Sequence, residues 1–224
     1  GRGRSEAMYR SRVLIAEDHS ILREAFQRLL GSQHEVVGAV SNGRDLLDIC
    51  PKLKPDVVLM DIAMPLLNGL DAGMQLKKTM PCVKLVFLTV NEDPDMAREA
   101  LRIGGSGYLL KSSAASELFH AIHEVLCGRS YVTPLITQGQ PQSCLRLSSR
   151  RSTGEKLTAR QREVLQLLAE GFSMKEVASL LGIKPRTIAF HKYRLMEDFQ
   201  LKSNADLLQF AMKLGLIFPL PRYH

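Results

Sequence analysis

Past a short polar start, the chain runs through Val13-Leu14-Ile15-Ala16, apolar at every position and too short for a helix. Four similar runs follow, Val36 to Val40, Asp56 to Met60, Leu85 to Leu88 and Gly107 to Leu110. Continuous rather than alternating apolar character marks strands covered on both faces. Between the runs lie amphipathic stretches, Ile21 to Leu30, Arg44 to Cys50, Leu70 to Lys78, Asp95 to Ile103 and Ala114 to Leu126. Each is long enough to cross back over a sheet to the next parallel strand. The pattern predicts an α/β doubly wound, five-stranded parallel sheet of order 2-1-3-4-5, with helices on both faces.

From Pro134 to Gly154 the periodicity gives way to Gln, Ser, Gly, Pro and Arg, the composition of a flexible linker. Beyond it the helix signals come close together. Thr158-x-x-Gln161 and Ser173-x-x-Glu176 are capping boxes, Gly171 and Gly182 are stops, Pro185 suits a first turn, and Ser203-x-x-Asp206 opens one more helix. Four short helices are expected. The organisation reads as a tail over residues 1–10, in which Gly1 to Ala7 ahead of Met8 is an added extension. A first domain covers 11–131, a basic linker 132–156, an all-α helix-turn-helix domain 157–219, and a tail 220–224.

Length suits this division, since 224 residues supply two cores of ordinary size. No apolar run approaches the length that crosses a bilayer, so no membrane partner is expected. Cys50, Cys82, Cys127 and Cys144 show no CxxC spacing, which argues against a zinc site or a disulfide framework and fits a cytoplasmic location. Charge is divided unevenly. Ser11 to Tyr131 hold thirteen Lys and Arg against fifteen Asp and Glu, whereas Thr137 to His224 hold fourteen against seven. A basic second half of that size points to a polyanion such as double-stranded DNA.

In an open parallel sheet the chemistry gathers beyond the carboxyl ends of the strands. The polar residues there form a coherent set: Glu17 and Asp18 after the first strand, Asp61 after the third, Thr89 after the fourth and Lys111 after the fifth. With the first and third strands adjacent, three carboxylates converge. Their repulsion calls for a cation, and an all-oxygen, solvent-reachable cluster suits Mg²⁺. A carboxylate beside such an ion can attack phosphorus, with Lys111 balancing phosphoryl charge and Thr89 donating a hydrogen bond. His19, next to the acidic pair, and His120 and His123 on a later helix lack a third ligand, and read as helix-start and surface residues.

The ordered set resembles the receiver domains of two-component response regulators across Arg12 to Leu126. The likeness rests on Val13-Leu14-Ile15-Ala16-Glu17-Asp18, Asp61-Ile62-Ala63-Met64-Pro65 with Asn68-Gly69, Leu88-Thr89, and Gly107-Tyr108-Leu109-Leu110-Lys111. The resemblance implies Asp61 as phosphoacceptor for a sensor histidine kinase, and Glu17, Asp18, Asp61 and the Ala63 carbonyl as Mg²⁺ ligands. It implies Thr89, Tyr108 and Lys111 as the switch set, with Tyr108 moving into space that Thr89 vacates. Two departures are Ser112, where many receivers have proline, and bulky Val90 just after the switch threonine.

In the second half, helix, Gly-containing turn and helix form a helix-turn-helix whose second helix, from Pro185, is the candidate reader of the major groove. Ile188, Leu195 and Phe199 share one stripe with His191 at its edge, while Arg186, Ala189, Phe190 and Tyr193 point the other way. Leu157 to Ile217 resembles the LuxR-type helix-turn-helix of the NarL/FixJ response regulators. The matching residues are Leu157-Thr158-x-Arg160-Gln161-x-Glu163-Val164-Leu165, Lys175-Glu176-Val177-Ala178 and Arg186-Thr187-Ile188-x-x-His191. The resemblance implies that Ala189, Phe190 and Tyr193 face base edges, with Lys184, Thr187, Lys192, Arg194 and Lys202 near phosphates. Apolar groups there would favour thymine methyls.

Together these readings describe a phosphorylation-switched DNA-binding regulator that forms a homodimer on activation, and not an enzyme. A phosphohydrolase would carry a second Asp where Ala63 stands. The remaining alternative is a phosphorylation-independent DNA-binding regulator whose receiver serves only in dimerisation.

Overall fold

The computed structural model describes residues 10–113, 115–137 and 157–218. The linker arginines Arg146, Arg150 and Arg151, Cys144 and both tails lie outside them.

The first half is a parallel sheet of β1 (Arg12–Ala16), β2 (Glu35–Val40), β3 (Val57–Asp61), β4 (Lys84–Thr89), β5 (Gly107–Leu110) and β6 (Tyr131–Val132). Their order is β2-β1-β3-β4-β5-β6, with every pairing parallel. Alternate residues of each central strand enter different cores, as the two-residue period requires. Val13, Ile15, Val57 and Leu59 pack with Leu118, Ile122 and Val125 of α5 (Ala115–Leu126) and Leu30 of α1 (Ser20–Gly31). Leu14, Ala16, Val58 and Met60 pack on the opposite face. There they meet α2 (Gly43–Leu53), α3 (Gly69–Thr79) and α4 (Pro94–Arg102).

The five expected strands are present, and the sheet continues one strand further than the apolar pattern indicates. β6 and a short helix α6 (Pro134–Thr137) occupy the start of the expected linker, with Ile136 buried in the core. A two-residue strand and a single helical turn are too short to generate a readable period, and their ordering comes from the β5 edge that they cover.

The second half holds four helices, α7 (Ala159–Ala169), α8 (Met174–Leu181), α9 (Pro185–Asp198) and α10 (Asn204–Lys213). Both expected capping boxes form, at Thr158 and Ser173, and the helix start at Ser203 is a third. Each satisfies helix-end N–H groups that would otherwise lack partners. Gly182 closes α8 at φ 64°, a left-handed conformation that glycine adopts without steric cost. Among the described residues no helix is long and apolar enough to cross a membrane.

Candidate functional site

Register places the acids. Ala16 pairs with Met60 and Asp61 with Leu88, so Glu17, Asp61 and Thr89 emerge side by side at the carboxyl edge of the sheet. Across the edge the Lys111 N–H donates to the Thr89 carbonyl at 2.7 Å. The Lys111 ammonium donates to Oε1 of Glu17 at 3.0 Å and stands 2.8 Å from both Oε2 of Glu17 and Oδ2 of Asp61. Ser112 in place of proline therefore does not keep the lysine from the acids. Asp61 is 1 % exposed and also accepts the Ala63 N–H at 3.1 Å. Arg23 binds the carbonyls of Glu17 and Asp18 at 2.7 and 3.2 Å, holding the acidic turn.

Burial, reinforced by Asp61, pushes the Glu17 carboxyl above the ordinary range, and burial does the same to Asp61. For Lys111 burial acts downward, but the facing Asp61 and Glu17 outweigh it and hold the ammonium above its usual value. One ammonium cannot align with every oxygen: Oε2 of Glu17, Oδ1 of Asp18 and Oδ2 of Asp61 are buried without an aligned hydrogen bond. Three carboxylates against one ammonium leave two negative charges. The residues present therefore fit one divalent cation.

Thr89 is 3 % exposed and its hydroxyl accepts the Asn91 N–H at 2.9 Å, while Val90 beside it lies open to solvent. Tyr108 is fully buried, in one core with Phe87, Ala97, Ala100 and Val132. Burial raises its phenol, with Thr89 tempering the shift. Small side chains on α4 and the cover of β6 and α6 leave room for the ring inside.

Past Asp61 the chain turns sharply. Gly69 opens α3 against the strand end, where a Cβ would meet the Asp61 carbonyl at 2.2 Å. Leu66 takes a left-handed φ of 65°, a conformation that costs a branched side chain about 1–2 kcal/mol. This turn meets α7 of the second half. Gln166, fully buried, accepts from the Asn68 N–H at 2.9 Å and its Nδ2 at 3.0 Å, and donates to the Met64 carbonyl at 3.1 Å. Glu170 accepts the Leu66 N–H at 3.1 Å, Arg162 pairs with Asp71 at 2.7 Å, and Gln75 donates to Glu163 at 2.8 Å. Leu66 itself packs against the buried cluster of Val164, Leu167, Val177, Ala178, Leu181 and Ile188.

Of these docking residues Met64, Asn68 and Glu163 enter the sequence reading only as parts of the family motifs, and Gln166, Glu170, Arg162, Asp71 and Gln75 are not singled out by it. Gln166 lies between Leu165 and Leu167, where a lone polar residue on an amphipathic helix reads as solvent-facing. Only its partner 98 residues away reveals its burial.

On α9 the expected division of faces holds. Ile188 and Leu195 are buried and Phe199 packs at the core edge, whereas Arg186, Phe190 and Tyr193 are exposed. Ala189 and Lys192 are half-buried, and Lys184, Thr187, Arg194 and Lys202 are exposed. The Arg194 guanidinium lies 6.0 Å from the Phe190 ring centre. Phe190 and Tyr193 keep 58 % and 63 % of their surface, so docking through α7 leaves this face open.

Comparison with known proteins gives matches to both halves. Residues 13–123 match the response regulator receiver domain, and residues 155–211 match the bacterial regulatory proteins of the luxR family. The oxygen regulatory protein NreC of Staphylococcus aureus is 32% identical over 214 residues, covering 92% of this chain and 99% of NreC. The response regulator GacA of Pseudomonas aeruginosa is 29% identical over 208 residues, covering 92% of this chain and 97% of GacA. Among solved structures, RcsB of Salmonella typhimurium matches with a TM-score of 0.55 and 26% identity over 91% of this chain and 98% of RcsB. An RcsB–DNA complex matches with a TM-score of 0.56 and 26% identity, over 90% and 98%.

Proposed function

Because the chain belongs to the NarL/FixJ family of response regulators, joining a receiver domain to a LuxR-type DNA-binding domain, we propose that it is phosphorylated on Asp61 by a sensor histidine kinase and thereby switches dimerisation and DNA binding to regulate transcription. The observation that carries this reading is the Lys111 ammonium within 3.0 Å of both Glu17 and Asp61 at one sheet edge.

A carboxylate oxygen of Asp61 forms the new P–O bond as the P–N bond of the donor phosphohistidine breaks, and the departing imidazole nitrogen keeps the electron pair and takes a proton. Lys111, now shared between two acids, turns to the phosphoryl oxygens, and the Thr89 hydroxyl donates to one of them. Glu17, Asp18, Asp61 and the Ala63 carbonyl hold Mg²⁺, which when bound neutralises charge on the transferring group. With Tyr108 already buried, Thr89 and the turn from Met64 to Asp71 are the parts left to move.

The reading face is open while the halves are docked, so phosphorylation acts on the freedom of the DNA-binding half rather than by unmasking it. Released from Asn68 and Leu66, two such halves can pair symmetrically on DNA, as a LuxR-type dimer reading two half-sites requires. Structures of RcsB include two dimers bound to two parallel DNAs, which supports this arrangement. Ala189, Phe190 and Tyr193 face bases, Arg186 flanks them, and Lys184, Thr187, Lys192, Arg194 and Lys202 lie along the phosphates. Such a regulator works in the cytoplasm. A receiver kept only for dimerisation would leave the complete acid, threonine and lysine set without a task. Titrating duplex DNA with and without acetyl phosphate and Mg²⁺ tests the proposal: affinity is expected to change on phosphorylation of the wild type and not of Asp61→Asn, and an identical affinity in every case would overturn it.

A further inference from the structure

The first residue after the acidic pair is expected from sequence to be an ordinary helix start, and its backbone takes that place. His19 stands at the N-cap of α1, but its side chain makes no capping hydrogen bond. The ring turns back to the acids instead. Its Nδ1 shares a hydrogen bond with Oε1 of Glu17 at 3.1 Å and lies 2.9 Å from Oδ1 of Asp18, and the His19 backbone N–H also donates to Oε1 of Glu17. Among the described residues, ligand atoms of Glu17, Asp18, His19 and Asp61 all fall within 4.8 Å of one another.

We propose that His19 is a further ligand of this site, and that the imidazole adapts it to a first-row transition-metal ion such as Co²⁺ or Ni²⁺ beyond its capacity for Mg²⁺. The inference rests on the metal reading above and concerns which ion the site prefers. Separations near 3 Å between Nδ1 and the carboxylate oxygens match the roughly 3 Å edge of an octahedron built on bonds of about 2.1 Å. Nδ1 and Oδ1 of Asp18 are at bonding distance, yet Oδ1 has no aligned hydrogen bond. Toward Asp18 the two atoms lie side by side, as two ligands of one ion do, while the hydrogen bond of Nδ1 goes to Oε1 of Glu17.

Further buried oxygens point the same way, because Oε2 of Glu17 and Oδ2 of Asp61, on side chains at most 1 % exposed, also lack aligned partners. The His19 ring is 56 % exposed, so an ion arriving from solvent reaches it and replacing it leaves the core intact. Imidazole nitrogen binds Co²⁺, Ni²⁺ and Zn²⁺ well and contributes little to Mg²⁺, which keeps oxygen ligands and water. A site of three carboxylates alone discriminates less between these ions.

The full chain carrying Cys127→Ser is the material for the test, because Cys127 Sγ, just past α5, and His123 Nε2 on its last turn lie 3.7 Å apart and offer a competing pair of ligands. Calorimetric titrations with Mg²⁺ and with Co²⁺ are run on this protein and on its His19→Ala and His19→Gln forms. Both substitutions are expected to weaken Co²⁺ by roughly tenfold or more while moving Mg²⁺ by less than about twofold. Pulsed electron spin resonance of bound Mn²⁺ adds a direct readout: nitrogen modulation from the imidazole is expected with His19 and absent from both variants. Unchanged Co²⁺ affinity, equal loss of both ions, or nitrogen modulation that survives His19→Ala would overturn the assignment. Failure of the unsubstituted site to bind Mg²⁺ at all would remove the metal reading as well.

Discussion

The side-chain oxygen of Gln166 accepts both amide donors of Asn68, backbone and side chain, at 2.9 and 3.0 Å. One buried atom of the DNA-binding half thus holds the loop that leaves Asp61. Gln166→Ala strips the buried Asn68 N–H of its acceptor and the Met64 carbonyl of its donor, a loss of about 1–3 kcal/mol per stranded group, while Nδ2 of Asn68 keeps Asp71. The expected outcome is an unphosphorylated chain with a larger radius of gyration in solution scattering and faster amide exchange at Asn68. An unchanged scattering profile would mean that the dock carries no weight in solution.

Burial holds the Glu170 carboxyl above its ordinary range, with Gln166 and the Leu66 N–H partly offsetting it. A carboxyl whose pKa is higher docked than free binds its proton more tightly in the docked form. Docking is therefore favoured as pH falls through that raised value toward the ordinary 4.5, and the gain is lost as pH rises through it. Scattering at neutral and mildly acidic pH should show compaction on acidification, and Glu170→Gln should remove the dependence.

Asp61→Asn keeps the shape of the site but removes the nucleophilic oxygen. Intact-mass measurement after acetyl phosphate and Mg²⁺ should show a phosphate adduct on the wild type and none on this variant. A Glu17→Gln, Asp18→Asn double substitution removes two of the three negative charges and should slow labelling by at least tenfold, roughly the loss seen when metal sites are disturbed. Labelling at the wild-type rate would separate the metal from the reaction.

Base and phosphate contacts should part experimentally. Lys192→Ala and Lys202→Ala are expected to weaken all duplexes alike and to lower the salt slope by about one per lost phosphate contact. Phe190→Ala and Tyr193→Ala should instead change which sequences are selected, by about 1–3 kcal/mol per affected base pair. Selection from a random duplex pool reads both effects, and the same consensus from wild type and Phe190→Ala would move the reading face elsewhere.

The sheet and its acidic edge are legible in sequence because their signals are local. Five apolar runs declare the strands, and topology alone carries Glu17, Asp61, Thr89 and Lys111 to one edge. The three capping boxes are local in the same way, each complete within four residues. What escapes is set by long-range packing. Gln166 gives no sign of burial until Asn68 is opposite it, β6 is too short for a period, and Tyr108 is inside because Ala97 and Ala100 leave space and β6 covers it. His19 reads as a helix cap because the direction of its ring depends on carboxylates that only the fold assembles.

Leu66 is held at a φ that its side chain disfavours, with its N–H tied to Glu170 and its side chain against the buried cluster that includes Val164 and Leu167. That residue sits five positions after Asp61, so the chemistry and its output share one short stretch of chain. A dock whose release let this turn relax would recover about 1–2 kcal/mol, a preload that offsets part of the contacts given up. Substituting glycine at Leu66 relaxes the preload and leaves every acid in place. The activation threshold of such a regulator can therefore be retuned, or drift between relatives, through a single residue that touches neither phosphate nor DNA.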